Sequence, residues 1–247
     1  MFVVTDSGTD LCLSGEEAEA LNIQIVPLTI TLDGNTYREG IDIRPDEFFA
    51  LLAQSQNLPI TSQPSPGDFA ETYRHLATRD PNILSIHMSS GLSGTLNAAR
   101  MGAQMVPEAN VTVVDTKTLG AGAGWQVRAA ARALRGGWSL ASTVHLIQQI
   151  SDATDTLFTL RELKYLIHGG RISHMKGLIA SVLDLKPLIT VEKQNGTYVQ
   201  RGQARSFRRA LAAVADLIAE QHPNDSRLQV QAVHSSDPEG LLCCARW

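Results

Sequence analysis

A run of hydroxyl-bearing and glycine residues, which we call the serine loop (residues 89–95), carries the strongest chemical signal in the chain. It holds three serines, two glycines and a threonine, between an apolar run at 83–88 and a helix-like run at 96–100. A strand that ends this way and then opens a helix leaves backbone N–H groups unbonded at the helix start. Those groups and the hydroxyls favour an anion. The alternative is that the serines only cap the helix.

A second pair of hydroxyls lies in an extended stretch at Thr61 and Ser62. Ser65 caps the following helix, with Pro66 at its first position, so neither hydroxyl is needed for that cap. Both are available for a ligand, or are simply exposed at the surface.

Two charged residues follow regular elements directly. Asp6 ends the first predicted strand, where it either accepts hydrogen bonds from its own loop or contacts a ligand. Arg171 follows a glycine pair that closes a helix, so it either interacts with the helix dipole or holds an anion.

Composition narrows the class of protein. The chain has 247 residues, a 43% apolar and a 19% charged fraction, and a net charge of −4. These values favour a globular chain and argue against broad nucleic-acid binding, which needs an excess of basic residues. The three cysteines form neither a disulfide framework nor a zinc motif.

The sequence also bears on location. The N-terminus lacks a basic region followed by an apolar stretch, and the most apolar candidate span, 177–191, contains Asp184 and Lys186. We therefore expect a cytoplasmic protein without stable membrane insertion.

The elements that position these residues alternate between strands and helices. Strand patterns at 2–5, 83–88 and 111–116 alternate with helical ones, which is typical of parallel βαβ units. We predict an α/β fold with two α/β domains. Residues 1–152 form a mostly parallel sheet flanked by helices, and residues 153–247 form a smaller mixed sheet with helices.

Local signals add further expectations. Asp33-Gly34 and Asn195-Gly196 predict hairpins. The helix that begins at Pro45 should be mostly core, and alternation predicts a strand over 228–233. A basic cluster at the start of a helix over 206–221 is either a solvated face or a docking patch. It comprises Arg201, Arg205, Arg208 and Arg209.

Six motifs, in order and register along nearly the whole chain, resemble those of the DegV family. They are Val4-Thr5-Asp6-Ser7, Thr61-Ser62-Gln63-Pro64-Ser65, the serine loop, Val114-Asp115-Thr116, Leu163-Lys164-Tyr165-Leu166 with Gly169-Gly170-Arg171-Ile172, and Leu185-Lys186-Pro187. The resemblance implies two α/β domains with a long-chain fatty acid, palmitate-like or oleate-like, buried between or within them. It further implies a non-enzymatic carrier subunit in phospholipid metabolism, which presents the acyl carboxylate to a separate fatty acid kinase for acyl-phosphate formation.

The resemblance also implies site residues. Thr61 or Ser62, with Ser93 and the backbone N–H of Gly94, would bind the carboxylate, and Arg171 would lie near the head group. The basic cluster would face the kinase. No metal and no cofactor besides the fatty acid is expected. Family members usually continue past the Asp-Pro-Glu-Gly segment at 237–240, so we expect a C-terminally shortened chain with an incomplete second domain.

Enzymatic alternatives stay open. Ser93 would be the nucleophile of an acyl transferase or hydrolase, although Thr95 replaces the second glycine of a nucleophile elbow. His87 is expected to be a core histidine rather than its base. Neither a P-loop nor a kinase lysine motif is present. Asp6 and Asp115 would serve a metal-dependent hydrolase, for which no third ligand is evident.

Overall fold

The computed structural model describes residues 1–172, 185–222 and 227–235. Its described residues divide into two compact units. The first comprises Met1–Thr154 together with Glu192–Thr197, and the second comprises the described parts of Asp155–Val191 and Tyr198–Trp247. The segment 192–197 therefore packs with the first unit although its flanking strands belong to the second.

The first unit contains seven strands and six helices. Its strands are β1 (Phe2–Asp6), β2 (Ile23–Val26), β3 (Thr29–Leu32), β4 (Asn35–Arg38), β5 (Ile60–Ser62), β6 (Asn82–His87) and β7 (Asn110–Asp115). Its helices are α1 (Gly15–Ala20), α2 (Pro45–Gln54), α3 (Pro66–Ala77), α4 (Thr95–Gln104), α5 (Gly120–Arg135) and α6 (Leu140–Ala153). A short 3-10 helix, Ser7–Thr9, follows β1.

The main sheet is parallel, with strand order β2-β1-β6-β7. All five residues of β1 are buried because helices cover both faces of the sheet. Successive side chains of a strand point to opposite faces. Accordingly, Phe2 and Val4 pack in one cluster with Phe69 and Tyr73 of α3, whereas Val3 packs in a second cluster with helix α5. The predicted α/β fold with a parallel sheet flanked by helices is confirmed.

Two glycines let helices approach their neighbours closely. A Cβ on Gly102 of α4 would lie 2.6 Å from the Cβ of Phe69, and one on Gly124 of α5 would overlap the carbonyl oxygens of Thr9 and Asp10. Both distances are shorter than a van der Waals contact. The glycine-rich start of α5 therefore serves close packing rather than an open phosphate cradle.

A small antiparallel sheet, β4-β3-β5, accompanies the main one. The predicted hairpin is present: Asp33 and Gly34 have φ of 52° and 80°, as a type I′ turn requires. The expectation that α2 is mostly core is wrong. No residue of α2 is buried, and Leu51 is 40% exposed, because only part of its apolar face finds a neighbour among the described residues.

The second unit is smaller. It contains β8 (Leu157–Phe158), α7 (Lys164–His168), β9 (Lys186–Val191), β10 (Tyr198–Ala204) and α8 (Phe207–Gln221), and its strands form an antiparallel sheet of order β10-β9-β8. The Asn195-Gly196 turn joins β9 to β10 as predicted. The first part of the apolar stretch at 177–191, and the Asp-Pro-Glu-Gly segment at 237–240 after which we expect a shortened chain, lie outside the described residues.

The strand predicted over 228–233 is not formed. This segment has no regular structure, and Val230 and Val233 are 61% and 58% exposed. Alternation alone does not make a strand, which needs backbone pairing within a sheet. Among the described residues, no helix has the length and apolar character needed to cross a membrane.

Candidate functional site

The serine loop connects β6 to α4, as the sequence predicts, and leaves the start of α4 open. Gly94 is the N-cap residue, and no described side chain forms the capping hydrogen bond there. The hydroxyl of Ser93 accepts the Thr95 N–H at 3.2 Å and is hydrogen-bonded to the Thr95 hydroxyl at 2.8 Å. One N–H of the first turn is thus covered, and the helix dipole gives the rest a positive character that favours an anion.

The segment that carries Thr61 and Ser62 reaches this helix start. Both residues lie on β5, where Ser62 is opposite Thr29 of β3, and both are exposed. The next residue, Gln63, lies against Gly94: a Cβ on Gly94 would overlap Gln63 Oε1 and lie 2.6 Å from Nε2. The end of β5 and the start of α4 are therefore neighbours. Gln63 is therefore a further candidate residue of this site, and its type and spacing alone did not indicate it.

Arg171 lies in the second unit, just past α7. Its Nη1 donates a hydrogen bond to the carbonyl of Gly169 at 2.7 Å. This bond closes the end of α7, which is the first of the two roles considered from the sequence. Burial raises the pKa of Tyr198 to about 12, and the Arg171 charge opposes that rise. The arrangement holds the guanidinium in a defined position.

The four arginines of the basic cluster are all exposed. Arg201 is on β10, Arg205 precedes the Ser206 cap of α8, and Arg208 and Arg209 are in its first turn. Positive charge at a helix N-terminus opposes the helix dipole, so this cluster does not stabilise α8. Its role as a docking patch stays a prediction.

A buried polar network lies beneath the serine loop. His87 Nδ1 is hydrogen-bonded to Asp6 Oδ2 at 2.9 Å, and its Nε2 is bonded to Ser85 Oγ at 2.7 Å. Ser85 Oγ is also bonded to the Tyr73 hydroxyl at 2.7 Å. Burial raises the pKa of Tyr73, and the bond to Ser85 opposes the rise. The sequence signal was the i, i+2 spacing of Ser85 and His87, which places both on one face of β6.

This network also holds the loops at the ends of two strands. Asp6 accepts the Gly8 N–H at 3.0 Å and the Met88 N–H at 3.1 Å. Asp6 therefore anchors the loop after β1 and the residue that leads into the serine loop, rather than presenting its carboxylate at the surface.

The geometry weakens the nucleophile alternative. Asp6, His87 and Ser85 have the connectivity of a Ser-His-Asp triad. However, all three are fully buried, so a substrate carbonyl has no path to Ser85 Oγ. Both ring nitrogens of His87 are engaged within the network, which leaves His87 unsuited to act as a base for Ser93.

Asp115, at the end of β7, contacts the serine loop at Ser90. It accepts hydrogen bonds from the Ser90 hydroxyl at 2.6 Å and from the Lys117 N–H at 2.9 Å. In the sheet, β6 lies between β7 and the strand of Asp6. Within the described ranges, no group of three histidine, cysteine, aspartate or glutamate residues is placed to hold a metal ion.

The parallel sheet flanked by helices defines an α/β protein, and the start of α4 beside the hydroxyl-bearing strand β5 is its candidate anion site. The family described as "Uncharacterised protein, DegV family" matches residues 1–242, and the chain belongs to it.

Several proteins and solved structures that are similar to this chain are also DegV proteins. A DegV domain-containing protein of Staphylococcus aureus is 38% identical over 191 residues, which are 77% of this chain and 67% of the relative. A solved structure that concerns fatty acid binding of a DegV family protein from Thermus thermophilus is 32% identical, with a TM-score of 0.78 over 90% of this chain and 78% of the other. The structure of a fatty acid binding DegV family protein from Streptococcus agalactiae gives 25% identity and a TM-score of 0.87, over 99% and 87%.

Proposed function

We propose that this protein binds a long-chain fatty acid non-covalently and presents its carboxylate to a separate fatty acid kinase in the cytoplasm. The observation that carries the proposal is the open start of α4, with Ser93 and Gly94, beside the strand end that bears Thr61 and Ser62. Similar chains that are described as fatty acid binding support the choice of ligand.

The head group suits such a seat. A carboxylate has two oxygens that accept hydrogen bonds, and bonds to a charged group contribute about 1.5–3 kcal/mol each. Ser93, one hydroxyl of β5 and the Gly94 N–H supply three donors. We also propose Arg171 as a residue near the head group or its phosphate, as the resemblance to the family implies.

The tail supplies most of the affinity. Burying roughly 15 methylene groups at about 0.8 kcal/mol each gives on the order of 12 kcal/mol before ordering costs. The head-group seat would then determine which end of the ligand is presented. This division of roles suits a carrier, whose acyl chain must stay covered while the carboxylate meets a partner.

The basic cluster is our candidate surface for the kinase. Arg201, Arg205, Arg208 and Arg209 are exposed and are not explained by helix stability. The division into domains 1–152 and 153–247 is likewise proposed, with the fatty acid head group seated in the first.

Ser93→Ala tests the proposal against acyl transfer at Ser93. A carrier should lose roughly 10- to 150-fold in fatty-acid affinity, which corresponds to one charge-assisted hydrogen bond. If the protein is a carrier, the intact mass of the wild type after incubation with an activated acyl donor should equal the mass of the apoprotein. An acyl adduct on the wild type that Ser93→Ala abolishes would establish the enzymatic alternative instead.

A further inference from the structure

Ser89 is a fully buried serine that the proposed carboxylate contacts do not use. Its N–H donates to the Thr118 carbonyl at 2.7 Å. Its hydroxyl donates to the Gly196 carbonyl at 2.8 Å and accepts the Gly91 N–H at 3.1 Å. Ser89 is thereby held from several directions, by the serine loop itself and by segments distant in sequence.

Ser89 is also hydrogen-bonded to Ser93, one of the proposed binding residues. Its carbonyl accepts the N–H groups of Leu92 and Ser93, both at 3.1 Å. Ser93 in turn accepts the Thr95 N–H, which begins α4. A continuous series of hydrogen bonds therefore runs from Gly196 through Ser89 to Ser93 and the first turn of the helix.

The turn that contacts Ser89 is itself well ordered by Glu192. The Glu192 carboxylate accepts the N–H of Asn195 at 2.8 Å and that of Gln194 at 3.1 Å, and its carbonyl accepts the Gly196 N–H at 2.9 Å. Burial acts to raise the pKa of Glu192, but the hydrogen bonds that its carboxylate accepts outweigh it and hold the pKa below its usual value. The turn is thus a preformed support for the serine loop.

The turn and the serine loop meet through facing glycines. A Cβ on Gly91 would overlap the Asn195 carbonyl oxygen and lie 2.8 Å from that of Gly196. A Cβ on Gly196 would overlap Ser89 Oγ and lie 3.0 Å from Ser89 Cβ, and Gly196 has a φ of 67°. Gly91 thus admits the backbone of the turn, and Gly196 leaves the space that the Ser89 side chain occupies, so a side chain at either position would block the contact.

We infer that Ser89 is a positioning residue for the carboxylate seat: its hydroxyl, bonded to Gly196, sets the place of Ser93 and Gly94. The inference rests on the proposed function, because it assigns Ser89 a part in fatty-acid recognition. A residue of this kind changes the binding of the head group without touching it.

Ser89→Ala tests the inference when the dissociation constants of a long-chain fatty acid and of the fatty alcohol with the same chain are compared. The affinity for the acid should fall about tenfold, the effect of roughly one hydrogen bond. Affinity for the alcohol should change less than about twofold, because only the carboxylate depends on donors at the start of α4. Ser89→Cys, with a weaker donor of similar size, should lie between the wild type and Ser89→Ala, and serves if Ser89→Ala does not fold.

Two matched controls share the loop and the turn. Ser90→Ala removes the hydroxyl that donates to Asp115. The hydrogen bond from the Ser90 N–H to Asp115, at 3.3 Å, remains. Gln194→Ala removes an exposed side chain from the turn. Both should keep the preference of the wild type for acid over alcohol.

A substitution in the turn gives an independent measurement. Gly196→Ala, whose new Cβ would overlap Ser89 Oγ and displace it, should reproduce the selective loss of acid affinity. Equal weakening of acid and alcohol, or an unchanged preference in Ser89→Ala, would contradict the inference. A wild type that shows no preference for the acid would overturn the proposed function, and the inference with it.

Discussion

Alanine substitutions at Gly91 and Gly94, three positions apart in the serine loop, should have opposite consequences. At Gly91 the new Cβ would overlap the Asn195 carbonyl and lie 2.8 Å from the Gly196 carbonyl oxygen. Both neighbours are backbone atoms of an ordered turn, so the loop and the turn must separate. Overpacking of this kind costs about 1–3 kcal/mol.

At Gly94 the obstacle is the Gln63 side chain, which is exposed and can rotate away. The Gly94 backbone has φ −76° and ψ 1°, which alanine adopts without strain. The free energy of unfolding should therefore stay within about 0.5 kcal/mol of the wild type. Fatty-acid affinity should nevertheless fall, because the added methyl group displaces Gln63 at the start of α4.

Urea unfolding, analysed by linear extrapolation, measures the first effect, and titration with a fatty acid measures the second. The expected pattern is a destabilised Gly91→Ala and a stable Gly94→Ala that binds weakly. A Gly91→Ala protein as stable as the wild type would refute the described seating of the turn on the serine loop. A Gly94→Ala protein destabilised by more than about 1 kcal/mol would refute the view that only Gln63 must move.

Three further outcomes are expected. Tyr73→Phe should lower the free energy of unfolding by about 1 kcal/mol in urea titrations, because one buried hydrogen bond to Ser85 is lost; an unchanged value would argue against that bond. The Arg38 guanidinium holds the pKa of Asp42 at about 2. The pair therefore stabilises the fold above about pH 4, and progressively less as the pH falls through 2. In Arg38→Met, the pKa of Asp42 measured by NMR should return toward about 3.9. Arg209→Glu should raise the KM of the kinase for the loaded carrier without changing fatty-acid occupancy, whereas Arg135→Glu, a charge reversal on α5, should not; equal effects would remove the basic cluster as a docking surface.

Local signals in the sequence predicted local structure well. The three-residue spacing of Ser14 and Glu17, and of Ser65 and Asp68, predicts capping boxes, and both form because their bonds join residues so near in sequence. The hairpin that Asn195-Gly196 predicts also formed, but by a different turn. Only Gly196 has a positive φ, of 67°, and six residues, 192–197, join the strands instead of the two-residue turn that such a pair favours.

Contacts between distant residues could not be predicted. The Asp6–His87 bond depends on β1 lying beside β6, and the types of these two residues do not predict that pairing. Ser89 and Gly196 are 107 positions apart, and their contact depends on where the turn packs. Burial of α2 was misjudged for the same reason, since an apolar helical face shows that a neighbour is favourable but not that one is present.

Native mass spectrometry of the purified protein, followed by organic extraction, tests non-covalent fatty-acid binding most directly. The protein should show a mass excess equal to one long-chain fatty acid, lost on denaturation and recovered as free acid in the extract. Protein that has neither bound lipid as purified nor any uptake of added fatty acid would contradict it.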